Sequence, residues 1–141
     1  MQDSRELIDG INAEEEKRCA ETYRFMEEQK IKKALAPAQW EELKSDLATH
    51  CEKIRRSSPV DIVVEEDGPD RISLTNTRNG KSLSMSYNAN VPCIQYVVPG
   101  RSGHFGFRVA ADGASIQLMD GPVPKQTRDV AFDAIKRITA K

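Results

Sequence analysis

The chain has 141 residues, a formal net charge of −1 and 30% charged residues. This balance does not favour non-specific binding to nucleic acid or to an anionic membrane, and no stretch approaches the roughly 20 apolar residues that span a bilayer. No secretory signal is visible, and the three cysteines match neither a disulfide framework nor a zinc pattern. We therefore expect a single domain, residues 1–141, in the reducing cytoplasm, without a cofactor.

The N-terminal quarter of the chain predicts a long polar helix, from Ala13 to about Leu35. A short helical turn can precede it as a separate element, because Gly10 disfavours a helix interior. A helix this polar rarely buries its whole length in its own domain. Residues 1–35 therefore either contact the domain at a few points and are otherwise exposed to solvent, or form an extension that pairs with a second copy or another protein. The thin apolar stripe that would make this contact contains Ile8, Ile11, Cys19, Tyr23 and Met26, and the last three are the candidate interaction residues.

A second helix is predicted from about Ala38 to Arg56. Pro37 ends the first helix and suits the first turn of the next. Its apolar side chains recur at steps of three and four residues, which is typical of a helix that packs one face on a sheet. These residues are Trp40, Leu43, Leu47, Cys51 and Ile54.

Six strand-like runs with alternating apolar residues follow, and two of the connections predict hairpins. Asn79-Gly80 is typical of a two-residue type I′ turn, which sets Leu74 opposite Met85. This turn, like the second hairpin turn described next, places the apolar residues of its two strands on the same face of the sheet.

The second hairpin signal is Asp112-Gly113, which sets Phe107 opposite Leu118. Strands this close in sequence usually pair as an antiparallel meander. Between the two hairpins, Gly100–Gly103 is interpreted as a hairpin loop, since it matches no phosphate-binding motif.

The predicted fold class is α+β. Two N-terminal helices precede a six-stranded antiparallel meander sheet with one face covered by helices, and a C-terminal helix runs from about Lys125 to Ala140. Residues 36–141 would be the compact core. The covered face is expected to hold Val60, Ile62, Val64, Ile72, Leu74, Leu83, Met85, Tyr87, Ile94, Tyr96, Val98, Phe105, Phe107, Val109, Ile116 and Leu118.

The other face of the sheet is polar and is a candidate floor for a small ligand. It lacks exposed aromatic pairs, so we do not expect it to stack single-stranded nucleic acid. Its candidate ligand residues are His104, Arg108, Gln95, Ser82, Ser84, Ser86 and Gln117.

The sequence favours a non-enzymatic interaction or scaffold domain that self-associates through its N-terminal helix. A small-ligand-binding module that uses the polar sheet face is the alternative. An enzyme ranks third, because His50 and His104 have no evident catalytic partner and no acidic pair has metal-site or acid-base spacing.

Overall fold

The computed structural model of the protein describes residues 3–57 and 61–140, with side chains described from residue 7 onward. It is an α+β structure in which seven antiparallel strands pair in chain order. The elements are α1 (Asp3–Ser57), β1 (Ile62–Glu66), β2 (Arg71–Asn76), β3 (Ser82–Asn88), β4 (Cys93–Val98), β5 (Arg101–Val109), β6 (Ile116–Asp120), β7 (Val123–Lys125) and α2 (Thr127–Thr139). The predicted antiparallel meander is confirmed, whereas the predicted counts of helices and strands are wrong.

The two predicted N-terminal helices are one continuous helix, α1, which contains both Gly10 and Pro37. Proline costs about 3 kcal/mol in a helix interior because it removes one hydrogen bond and crowds the preceding turn. Ala36 and Trp40, on either side of Pro37, are almost completely buried. Their packing holds the chain helical on both sides of the proline, so tertiary contacts override the local break.

The number of strands also differs from the prediction, because a seventh strand, β7, follows β6. Val123 pairs with Asp120 and Pro124 pairs with Met119, in a segment between the six predicted strands and the predicted C-terminal helix. Gly121 adopts a positive φ of 58°, which allows the tight connection between β6 and β7. A proline is tolerated on β7 because this is the edge strand, where one side of the backbone has no strand to bond. The C-terminal helix consequently begins at Thr127 rather than Lys125.

The register of the β2–β3 hairpin differs from the prediction by two residues. Leu74 pairs with Leu83, not with Met85. Gly80 has a φ of 73°, but Asn79 does not adopt a positive φ, so the turn is not type I′. Instead, the side-chain amide of Asn79 donates a hydrogen bond to the carbonyl oxygen of Ile138 at the end of α2. A shift of two residues preserves side-chain parity, and the predicted face of each strand is correct.

The register of the β5–β6 hairpin is confirmed, since Phe107 pairs with Leu118. The predicted loop at Gly100–Gly103 is wrong. Val98 pairs with Arg101 across a two-residue connection of Pro99 and Gly100, and β5 already begins at Arg101. Proline followed by a glycine of positive φ suits a type II turn.

The core lies between the two helices and one face of the sheet. All the predicted core strand residues within the described ranges are buried, except Val64 and Val109, which are partly buried against the core; Val60 lies outside the described residues. Trp40 anchors α1, because its indole N–H donates to the carbonyl oxygen of Pro69 at 2.8 Å. The Thr127 hydroxyl donates to the Asp46 carboxylate at 2.7 Å and joins α2 to α1.

Candidate functional site

The N-terminal half of α1 extends beyond the core. The helix is about 80 Å long at 1.5 Å per residue, yet Ile31 is its first hydrophobic side chain that packs against the core. We call residues 7–30 the projection. Six of its large apolar side chains are between 50% and 67% exposed, namely Leu7, Ile8, Ile11, Tyr23, Phe25 and Met26. Such a concentration of exposed apolar groups is typical of an interaction surface.

Helical periodicity places several of these residues on one side of the projection. Ile8 and Met26 are separated by five turns of about 3.6 residues and therefore point in the same direction. Ile11, Cys19 and Tyr23 lie within about 60° of that direction by the same geometry. These five residues form the apolar stripe. The structure thus brings the predicted interaction residues together on one exposed face, while Leu7 and Phe25 flank it.

Side-chain contacts within the projection add little to the stability that its backbone hydrogen bonds give the helix. The ion pair from Lys30 to Glu27, at 3.8 Å, joins two exposed side chains and contributes little in water. Glycine at position 10 lowers helix stability further by about 1 kcal/mol relative to alanine. Helical stability usually comes from packing an apolar face, so a partner on the stripe would supply what the projection lacks.

The polar face of the sheet places the predicted ligand residues in two groups. Ser86, Gln95 and His104 form one row, because Ser86 pairs with Gln95 and Gln95 pairs with His104. Arg108 instead pairs with Gln117 on β6. His104 and Arg108 lie four residues apart on β5, about 13 Å at 3.3 Å per residue.

Both groups are accessible to solvent. His104, Gln95 and Arg108 are exposed, as is Ser82, whereas Gln117 is half-buried. Ser84 and Ser86 are also half-buried and line a depression of about 290 Å³ beside Gln95 and Arg71. The face offers hydroxyl and amide groups next to one imidazole, which can orient a small polar molecule by hydrogen bonds.

A groove that sequence reasoning missed lies on the other side of the sheet, between the β4–β5 hairpin and α2. Its volume is about 480 Å³. Tyr96 and Phe105 stack in its floor with ring centroids 4.7 Å apart. At its rim, Arg101 lies 3.6 Å from the Asp120 carboxylate and 5.8 Å from the centroid of the Tyr96 ring. No local motif signals this groove, since its walls come from segments far apart in the sequence.

Burial raises the pKa of two cysteine thiols. The pKa of Cys51 rises to about 11, chiefly because the side chain is removed from water. Burial also raises the pKa of Cys93 above its ordinary value. Thiols in such surroundings stay protonated at neutral pH and are poor nucleophiles. Cys19, in the apolar stripe, is exposed.

Within residues 3–57 and 61–140, no helix combines the length and apolar character needed to cross a membrane. The same residues contain no cluster of three or more histidine, cysteine or acidic side chains arranged to hold a metal ion. Comparisons with protein-family models, curated proteins and solved structures found no match.

Proposed function

We propose that the protein is a non-enzymatic scaffold module of the cytoplasm that self-associates through the projection of α1. The observation that carries this proposal is the apolar stripe, held on a helix that continues well beyond the core. A reducing compartment suits the three free cysteines, one of which is exposed within the stripe.

Burial of apolar surface between two copies can supply the free energy of association. Full burial of a large apolar side chain contributes about 1.5–3 kcal/mol, and each copy brings Ile8, Ile11, Tyr23 and Met26, all at least half exposed. Association costs on the order of 4–15 kcal/mol in lost freedom of motion. Two stripes in contact can offset that cost, because both helices lose exposed apolar surface together.

Light scattering on the full chain at tens of micromolar tests the proposal. We expect a dimer for the parent and a monomer for Ile11→Glu, which places a charge in the stripe. Ala13→Glu is the matched control, because it adds the same charge to the opposite side of the same helix and should remain dimeric. A monomeric parent, or equal masses for the two variants, would contradict self-association through the stripe.

Small-ligand binding on the polar face of the sheet is the second candidate. The aligned row of Ser86, Gln95 and His104 favours it, because three neighbouring strands there present hydrogen-bonding groups toward solvent. A thermal-shift screen of small polar molecules would identify a ligand, and Gln95→Ala and His104→Ala should each weaken its binding. Arg137→Ala, which alters the groove beside α2, is the control. Loss of binding only in that control would move the site to the groove.

A further inference from the structure

We infer that two copies of this chain pair through their projections in antiparallel orientation, about a two-fold axis level with Lys17. This inference rests on the proposed self-association and adds its orientation and register. Three features of α1 lead to it: the symmetry of the apolar stripe, the polar residues at its centre and the distribution of charge along the helix.

Four of the five stripe residues are arranged symmetrically about Lys17. Ile8 and Met26 lie nine residues before and after it, and Ile11 and Tyr23 lie six residues before and after it. In an antiparallel pair, a residue at a given distance before the axis meets the residue at the same distance after it. Ile8 therefore meets Met26 of the second copy, and Ile11 meets Tyr23. Lys17 is about two and a half turns from Ile8, so its own side chain points away from the contact.

The centre of the stripe is polar and follows the same symmetry. Asn12 and Thr22 lie five residues on either side of Lys17, and Glu15 and Cys19 lie two residues on either side. Antiparallel pairing therefore sets Asn12 level with Thr22 and Glu15 level with Cys19 of the second copy. Two polar side chains within an apolar helix contact can fix its register at some cost in stability, because a slipped register would bury Asn12 and Thr22 against apolar partners.

The distribution of charge along α1 favours the antiparallel orientation over the parallel one. Residues 7–16 carry four carboxylates and no cation. A parallel pair would set this segment against itself, four negative charges beside four. In the antiparallel pair it lies against residues 18–27, whose two arginines and two glutamates sum to zero. Avoided repulsion between like charges is a common determinant of partner orientation in paired helices.

The register also sets where the two cores lie. Asp3 of the second copy, the first residue of its α1, lies level with Ile31, where α1 meets the core. The two domains then sit at opposite ends of the paired helices. A parallel pair would instead bring both domains to the same end.

Disulfide trapping tests the orientation. In a full chain carrying Cys19→Ser and Cys93→Ser, two single variants, Ile8→Cys and Met26→Cys, are compared with the double variant. We expect the double variant to form a cross-linked dimer under mild oxidation, resolved by non-reducing electrophoresis, and each single variant to remain uncross-linked. Ala13→Cys combined with Met26→Cys is the control, since position 13 faces away from the stripe.

Light scattering on the same samples distinguishes a failure of the antiparallel orientation from a failure of self-association. A dimeric mass with cross-links in each single variant would establish parallel pairing and overturn the antiparallel inference alone. A dimeric mass without any cross-link in the double variant would also overturn it. A monomeric mass for the parent would overturn self-association itself.

Discussion

Replacement of Asn76 by aspartate should lower the free energy of unfolding substantially. The side chain is only 3% exposed. Its amide nitrogen donates to the carbonyl oxygen of Ile138 at 2.9 Å, and its amide oxygen accepts a hydrogen bond from the backbone N–H of Arg78 at 3.1 Å. Asn76→Asp preserves the shape and the acceptor, and removes the buried one of the two side-chain donors to the Ile138 carbonyl oxygen.

The expected loss is about 2 kcal/mol. The lost hydrogen bond costs about 0.5–1.5 kcal/mol, because Asn79 still donates to the Ile138 carbonyl oxygen. An anion at a helix C-terminus, where the carbonyl groups already carry partial negative charge, costs from about 0.3 to 2 kcal/mol more. Asn79→Ala should cost less, because Asn79 is exposed and its bond to the Ile138 carbonyl oxygen duplicates the one from Asn76.

Urea unfolding at two pH values provides the assay. Burial raises the pKa of the introduced carboxyl group above its value in the unfolded chain. The penalty is therefore absent below both pKa values and grows as the pH rises through them. The stability deficit of Asn76→Asp should shrink from neutral pH to roughly pH 4, where the protonated acid can donate to Ile138. The deficit of Asn76→Ala should not change with pH. A neutral-pH deficit under about 0.5 kcal/mol, below the summed cost of the lost bond and the added negative charge, would refute this reasoning.

Three further predictions concern positions whose contacts are equally specific. Gly103→Ala should destabilise the protein by about 1–2 kcal/mol, because a Cβ atom there would lie 2.8 Å from the hydroxyl oxygen of Tyr96; urea unfolding measures this, and Tyr96→Phe should relieve part of the cost. Pro37→Ala should raise the free energy of unfolding by up to about 3 kcal/mol, and an unchanged midpoint would show that the proline imposes no cost on α1. Cys51 should resist thiol reagents in the native state while exposed Cys19 reacts, since Cys51 is buried and its pKa is raised to about 11; equal labelling rates would contradict its burial.

Alternation of apolar residues was sufficient to predict the faces of the strands. Phe107 and Leu118 pair as expected, and Ile72 and Leu74 face the core even though their register was wrong. The physical reason is that side-chain direction in a strand has a period of two, so a register error of two residues leaves it unchanged. The shared face of the stripe residues on the N-terminal helix was equally predictable, because it follows from helical spacing alone, whereas their exposure was decided by the tertiary structure.

Local signals failed where distant residues interact. The Asn79-Gly80 turn depends on the carbonyl oxygen of Ile138, and continuity of α1 through Pro37 depends on the burial of Trp40 against the sheet. The groove beside α2 likewise combines strand and helix residues that share no motif. These contacts outweigh turn and helix-breaking preferences of a few kcal/mol at most.

The sequence by itself therefore determined the α+β class, the antiparallel meander and the buried face of each strand, because these follow from periodicities of two and 3.6 residues along the chain. Only the tertiary structure decided that α1 is one helix, that a seventh strand extends the sheet, and where the hairpin at Asn79 pairs. Each of these outcomes depends on packing or hydrogen bonds between residues far apart in sequence, which no local pattern encodes.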